Sequence, residues 1–244
     1  MTRTQRTFDI VVALGALVML APLLALLALA VFVCDFRNPL FFGRRIGKDG
    51  RAFRMVKLRT MRSSTSGPQS TSAFDPRITW IGRILRRCKL DELPQLWNVL
   101  AGNMSFVGPR PQVRTDADLY TSEERRMLEA RPGITDLASI VFSDEGDILA
   151  GSADPDLLYN QIIRPWKSRL ALLYVERRTF VTDLRIVLLT ATALVDRCRA
   201  LDGVDRILEA WGADPLLRAM ARRETPLVAY PPPGASEILD AYRN

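Results

Sequence analysis

The sequence predicts a mainly α-helical protein with one small β-hairpin and an N-terminal membrane helix. Ile10 to Val33 is an uninterrupted run of 24 residues without a charge. The segment 41–61 reads as two strands about a Lys48-Asp49-Gly50 turn, because Asp-Gly suits the positive φ of a tight hairpin. Beyond residue 80, capping residues, prolines and glycines mark the starts and stops of several helices.

As a helix, the apolar run would be about 36 Å long, enough for a hydrocarbon core of about 30 Å. It is too long for a signal peptide, and no small-residue cleavage site follows it. Pro22 lies at its middle, where it removes a helix hydrogen bond and forces a kink. Arg3 and Arg6 precede the run, and Arg37, Arg44 and Arg45 follow it. Positive charge on both flanks would keep both ends on the cytoplasmic side. Charge and proline together fit two forms, a helix that enters, bends at Pro22 and returns, and a Pro-kinked span.

After the hairpin, residues 62–72 form a polar loop with Gly and Pro. A helix is expected from Ile81 to Lys89, carrying Arg83, Arg86 and Arg87. Another should start with Asp91 as its cap, tolerate Pro94 in its first turn and stop at Gly102. Thr121 and Glu124 have the spacing of a capping box. Asp154 and Pro155 open a helix that Pro165 is expected to break, before a long helix from about Lys167 to Val195. Its apolar stretch Ile186 to Val195 is too short to span a bilayer, so it packs in the core or on the membrane surface. From about residue 210 the chain turns Pro-rich and reads as an extended tail.

At 244 residues the chain has room for one sizeable domain with appendages. It contains no histidine, which excludes Ser-His-Asp triads, Cys-His dyads and His-ligated zinc. Cys34, Cys88 and Cys198 are scattered, as reduced thiols of a cytosol-facing protein would be. The net charge of +7 divides unevenly, +12 over residues 1–114 and −5 over the remainder. A basic front half calls for an anionic partner. Beside a long apolar run, lipid headgroups or phosphorylated small molecules fit better than nucleic acid.

Asp91 and Glu92 stand out in this basic half. At a helix start the macrodipole would keep both ionised, which suits a nucleophile or metal ligand better than a general acid. Acidic residues at helix starts most often only cap. Here Arg83, Arg86, Arg87 and Lys89 lie just upstream, Lys57 and Arg59 come from "KLRT", and Arg110 sits in a Gly-Pro-Arg-Pro turn. If these converge, two carboxylates share a site with several phosphate-binding cations. A hard divalent cation held by carboxylate and phosphate oxygens would suit such a site. Asp144, Glu145 and Asp147 read as an acidic surface loop, with assistance to the metal as the alternative.

The stretch "DELPQLWNVLAGNMSFVGPRP", with "KLRTM" upstream and "RPGIT" downstream, resembles the bacterial sugar transferases called monotopic phosphoglycosyl transferases. The resemblance runs from about Arg3 to Thr192. It implies a re-entrant helix broken at Pro22 (residues 1–36) and a compact catalytic domain with membrane-surface helices (37–200). Residues 201–244 would be a C-terminal extension. The domain would lie on the cytoplasmic face of the bacterial inner membrane. The implied reaction moves a phosphosugar from a UDP-sugar to a polyprenol phosphate, releasing UMP. Asp91 would be the nucleophile, Glu92 would assist with Mg2+, Arg110 would bind the nucleotide sugar, and Arg86 would bind phosphate. Ala21, Asn103 and Asp136 depart from the family's usual residues, none of them in the dyad. A non-enzymatic adaptor binding anionic lipid would explain the charge and the anchor, but not the Asp91-Glu92 pair.

Overall fold

The computed structural model describes residues 3–62 and 75–241, so most of the expected polar loop at 62–72 lies outside the described residues. Helix α1, Arg3–Asp35, has helical backbone on both sides of Pro22 with no intervening loop. One face of it packs on the rest of the chain. Ala13 is buried with Met55, Leu96, Val99 and Met104. Farther along, Val31 is buried with Leu58 and Leu85. Polar contacts hold both ends: Arg6 donates to the carbonyl oxygens of Val99 and Leu100 at 2.6 and 2.8 Å, Gln5 donates to Asp183 at 2.8 Å, and Asp35 pairs with Arg59. The remaining face exposes Val11, Leu14, Val18, Met19, Leu26, Leu29 and Val33. So long an apolar surface is compatible with a membrane anchor.

Strands β1, Leu40–Ile46, and β2, Ala52–Leu58, form the expected antiparallel hairpin. Asp49 and Gly50 take positive φ values of 56° and 73° in its turn. Helix α2, Trp80–Arg87, is capped by the Thr79 hydroxyl, which accepts from the Gly82 amide at 3.0 Å. The segment that follows differs from expectation. Leu90–Gln95 is a 3-10 helix, and only Leu96–Leu100 is α-helical (α3). The cap position belongs to Lys89, in left-handed conformation with φ 57°, and Asp91 accepts no capping bond.

Strands β3, Ser105–Val107, and β4, Gly133–Thr135, pair in parallel. Between them lie α4, Arg114–Asp118, and a 3-10 turn over Glu124–Glu129. The Thr121–Glu124 capping box is present: the Glu124 amide donates to Thr121 Oγ1 at 3.1 Å, and the Thr121 amide donates to Glu124 Oε2 at 3.0 Å. Asp136, a departure in the sequence, caps α5, Leu137–Val141, through a box with Ser139.

Then follow α6, Glu145–Ile148, and α7, Pro155–Leu158, the latter capped by Asp154 as expected. A π turn, Tyr159–Ile163, runs directly into α8, Arg164–Arg177, with Pro165 in its first turn. Pro165 therefore opens a helix where a break was expected, since a first-turn residue needs no amide partner. The single long helix expected from Lys167 to Val195 is divided into α8 and α9, Phe180–Ala193. The Thr179 hydroxyl caps α9 by accepting from the Thr182 amide at 3.2 Å.

The expectation of an extended tail beyond about residue 210 is also corrected. After α10, Arg197–Ala210, helix α11, Pro215–Ala221, buries Leu217, Met220 and Ala221. They join the main core of Leu137, Ile140, Val141, Leu170, Ile186, Val204 and Leu208. Farther on, the Tyr230 ring stacks on Trp166 at 4.7 Å.

Of the apolar stretch on α9, Ile186 enters the core, while Leu188, Leu194 and the following Val195 face outward. Trp80 and Trp97 are likewise exposed, at 67% and 62%.

Candidate active site

Three elements bring the basic and acidic residues together. On the hairpin, the pairs Phe41–Lys57, Gly43–Met55 and Arg45–Phe53 put Arg45, Met55 and Lys57 on one face. Asn98 of α3 docks onto β2: its side-chain oxygen accepts from the Val56 amide at 2.9 Å, and its amide donates to the Arg54 carbonyl at 2.7 Å. Asp91 and Glu92, about two turns earlier, are thereby set beside Lys57.

The Gly-Pro-Arg-Pro turn closes the site. Gly108 lies against the 131–133 backbone so closely that an added Cβ would meet the Arg131 carbonyl oxygen at 2.2 Å. The Gly108 amide donates to Thr135 at 3.1 Å, and the Ile46 amide donates to Gln112 at 2.8 Å. Arg110 is held between these anchors and donates to Glu92 at 2.7 Å.

The result is a polar cavity of about 280 Å³. Arg45, Lys57, Arg86, Lys89, Asp91, Glu92, Arg110, Glu145, Tyr159 and Lys167 line it. Of the residues singled out from sequence, Lys57, Arg86, Lys89, Asp91, Glu92 and Arg110 converge here, while Arg83 and Arg87 do not line the cavity. Arg59 does not: its guanidinium is taken up by Asp35 at the end of α1. Pro22 lies elsewhere, inside α1.

Glu145, read as a loop residue, lines the cavity and pairs with Lys167. Lys167 and Tyr159 carry no signal in sequence, because only the packing of α8 and the π turn brings them in, whereas Gln112 comes with the Gly-Pro-Arg-Pro turn, two residues after Arg110. Arg45 was noted for its charge alone, although the strand period aligns it with Lys57.

The two carboxylates are held differently. Asp91 is 5% exposed, and no hydrogen bond or ion pair among the described residues engages it. Burial, then the neighbouring Glu92, raises its pKa, while Lys57, Arg86 and Arg110 pull it down. The dipole argument had both groups equally ionised. The structure sets the two apart, because the 3-10 start gives Asp91 no capping bond and its side chain is buried. Glu92 is also buried, but the charge and hydrogen bond of Arg110, with Lys89 and Lys57, outweigh this and lower its pKa. The same pairing with Glu92 raises Arg110.

Burial pushes Lys57 down to about 8, aided by Arg86 and opposed by Asp91. Arg86 is also lowered by burial, and its Nε donates to Thr60 at 2.9 Å.

Cations crowded at such cost, around a carboxylate without a partner, suit a doubly charged phosphate. The free carboxylate can act as a nucleophile toward it. Oxygen-only donors at Asp91 and Glu92 also fit a hard divalent cation. Among the described residues no group of three or more ligating side chains converges, so water and phosphate oxygens would complete the shell.

A membrane-compatible helix beside a cation-rich site with two carboxylates suits an enzyme of phosphoryl transfer. The chain belongs to the bacterial sugar transferase family, whose model matches residues 1–197. It is an enzyme, a phosphoglycosyl transferase. It is 37% identical over 196 residues to the UDP-glucose:undecaprenyl-phosphate glucose-1-phosphate transferase of Caulobacter vibrioides, covering 78% of this chain and 69% of that protein. It is 39% identical over 207 residues to the exopolysaccharide production protein PSS of Rhizobium leguminosarum bv. phaseoli, covering 79% and 96%. An Aeromonas hydrophila UDP-N-acetylgalactosamine-undecaprenyl-phosphate N-acetylgalactosaminephosphotransferase is 32% identical over 185 residues, covering 73% and 44%.

Proposed function

We propose that this enzyme transfers a sugar phosphate from a UDP-sugar to undecaprenyl phosphate, releasing UMP, through a covalent intermediate on Asp91. The observation that carries the proposal is the buried Asp91 carboxylate, without a hydrogen-bond or ion-pair partner among the described residues, beside Lys57, Arg86 and Arg110. The names of the related proteins supply the donor and acceptor classes.

In the first displacement an Asp91 Oδ attacks the β-phosphorus. The bond from that phosphorus to the oxygen bridging the α-phosphate breaks, and UMP leaves with the electron pair. Lys57, Arg86 and Arg110 offset the repulsion between carboxylate and diphosphate. In the second, an oxygen of the lipid phosphate attacks the same phosphorus and expels the Asp91 carboxylate. Neither displacement requires a proton to be moved by the protein, which accounts for a site without histidine. Glu92, with Asp91, would hold Mg2+, which when bound supplies further charge neutralisation on the diphosphate.

We also read the protein as monotopic, entering the inner membrane from the cytoplasmic face. Both ends of α1 bind one domain, through Arg6 and Gln5 at one end and Asp35 at the other. A span would separate those ends by about 30 Å of hydrocarbon. Exposed Trp80 and Trp97 suit the headgroup level, where amphipathic rings collect.

The test is to incubate enzyme, Mg2+ and UDP-sugar radiolabelled in the sugar, without acceptor, and then to quench and map the label. The expected result is label on the Asp91 peptide and UMP formed before lipid is added. Asp91→Asn should fold but neither label nor turn over. Sequential kinetics with unlabelled protein would sink the covalent route.

A further inference from the structure

Behind the dyad lies a second cavity of about 220 Å³, different in character from the first. Leu93, Leu96, Phe106, Ile134, Ile140 and Leu194 supply most of its wall. Lys89, Glu92 and Arg110 border both cavities, so the apolar one meets the polar one at the dyad. A nucleotide sugar has no use for such a wall.

Three hydroxyls in this wall, those of Thr135, Ser139 and Thr190, are already bonded within the protein. The hydroxyls of Thr135 and Thr190 bond each other at 2.6 Å, Thr135 is 3.1 Å from the Ser139 hydroxyl, and Thr190 donates to the Ile186 carbonyl at 2.8 Å. With those donors spent within the protein, the part of the wall away from Ser143 and the charged border offers an occupant apolar contact. Its outer end is the last turn of α9, where Leu194 and the following Val195 are exposed beside Leu188. The cavity thus connects a cation-lined phosphate site to an outward-facing apolar surface.

We propose that this cavity seats the isoprenoid segment next to the acceptor's phosphate, with Lys89 and Arg110 at the boundary between head and tail. The proposal rests on the acceptor being a polyprenyl phosphate. The match is one of amphiphilic shape: a dianionic head against the cations, an uncharged branched chain against Leu93, Leu96 and Ile140, and an exit past Leu194 into lipid. Donor and acceptor phosphates would occupy the cation-lined cavity in turn, because in-line attack on the Asp91 intermediate comes from the side that UMP has vacated, and only the isoprenoid segment would lie in the apolar cavity.

A farnesyl phosphate with a diazirine on its first isoprene unit tests this on the wild-type protein in nanodiscs. The label should map to residues 93–96, 134–140 or 190–194. It should be displaced by undecaprenyl phosphate and not by dioleoyl phosphatidate. Label confined to the outer face of α1, or equal displacement by phosphatidate, would overturn the assignment. Cross-linking needs no turnover, so it remains readable if the covalent route through Asp91 fails. Ala193→Phe gives a second readout, because it narrows the outer end of the cavity. It should raise the KM for farnesyl phosphate by about tenfold or more, and far more than the KM for the donor. Equal effects on both, or none on either, would also overturn it.

Discussion

Lys57 links the energetics of the cavity to its activity. Burial and the Arg86 charge bring its pKa down to about 8, so it carries its charge at pH 7 and loses it just above. The value of kcat/KM for the donor follows ionisations of the free enzyme. It should therefore fall above pH 8, with only about a tenth of the molecules still charged at pH 9. Lys57→Arg removes the titration, because a guanidinium stays charged throughout this range. Its profile should stay flat past pH 9, at a lower plateau because the wider fork fits the strand less well. Lys57→Met should be low and flat.

The stability effect has the opposite direction. The folded-state pKa of about 8 lies below the ordinary 10.5, so the charged form is penalised in the fold. That penalty is present in full below pH 8 and is relieved as pH rises toward 10.5, worth about 3 kcal/mol at most. Lys57→Met should therefore raise the melting temperature at pH 7 while it lowers activity. The assays are UMP release across pH 6–10 and thermal unfolding in detergent. A limb near pH 8 that survives in Lys57→Arg would refute this account, as would a Lys57→Met protein less stable than wild type at pH 7.

Arg110→Ala should cut kcat/KM for the donor by about tenfold or more, a loss of about 1.4 kcal/mol or greater, with lysine restoring only part. Wild-type kinetics from the folded variant would remove Arg110 from the site. A single cysteine placed at Thr4, in a background with Cys34, Cys88 and Cys198 replaced by serine, should react only from the cytoplasmic side of intact cells. Periplasmic labelling would mean that α1 spans. Leu217→Ala should cost about 2–3 kcal/mol of stability, since the residue is buried in the main core and leaves a cavity behind. A change below about 0.5 kcal/mol in unfolding experiments would show that α11 is dispensable.

Much of the local structure was legible because it depends on neighbours in sequence. The hairpin follows from the φ preferences of Asp49 and Gly50, and the Thr121–Glu124 box and the Asp154 cap follow from side chains within reach of their own amides. The same reasoning misplaced the start of the Asp91 segment, because the left-handed Lys89 begins a 3-10 turn there. It also read residues beyond 210 as tail, because the few apolar side chains of α11 are recognisable as core only once α8 and α10 are in place.

What the sequence alone determined is what a short contiguous stretch can specify. An uncharged run of 24 residues has few alternatives to a lipid-facing helix, and an Asp-Glu pair ahead of a Gly-Pro-Arg-Pro turn marks the site's acidic centre. Only the tertiary structure decided which cations reach that centre and how the two carboxylates differ. Arg59 is turned to Asp35, while Arg45, Glu145 and Lys167 arrive from a strand and two helices far apart in the chain. Glu92 is paired by Arg110 while Asp91 is buried without a partner, so adjacent residues of like chemistry have pKa values pushed in opposite directions. The physical reason is that a charge responds to burial and to every other charge within several ångströms, and those distances are set by packing rather than by separation along the chain.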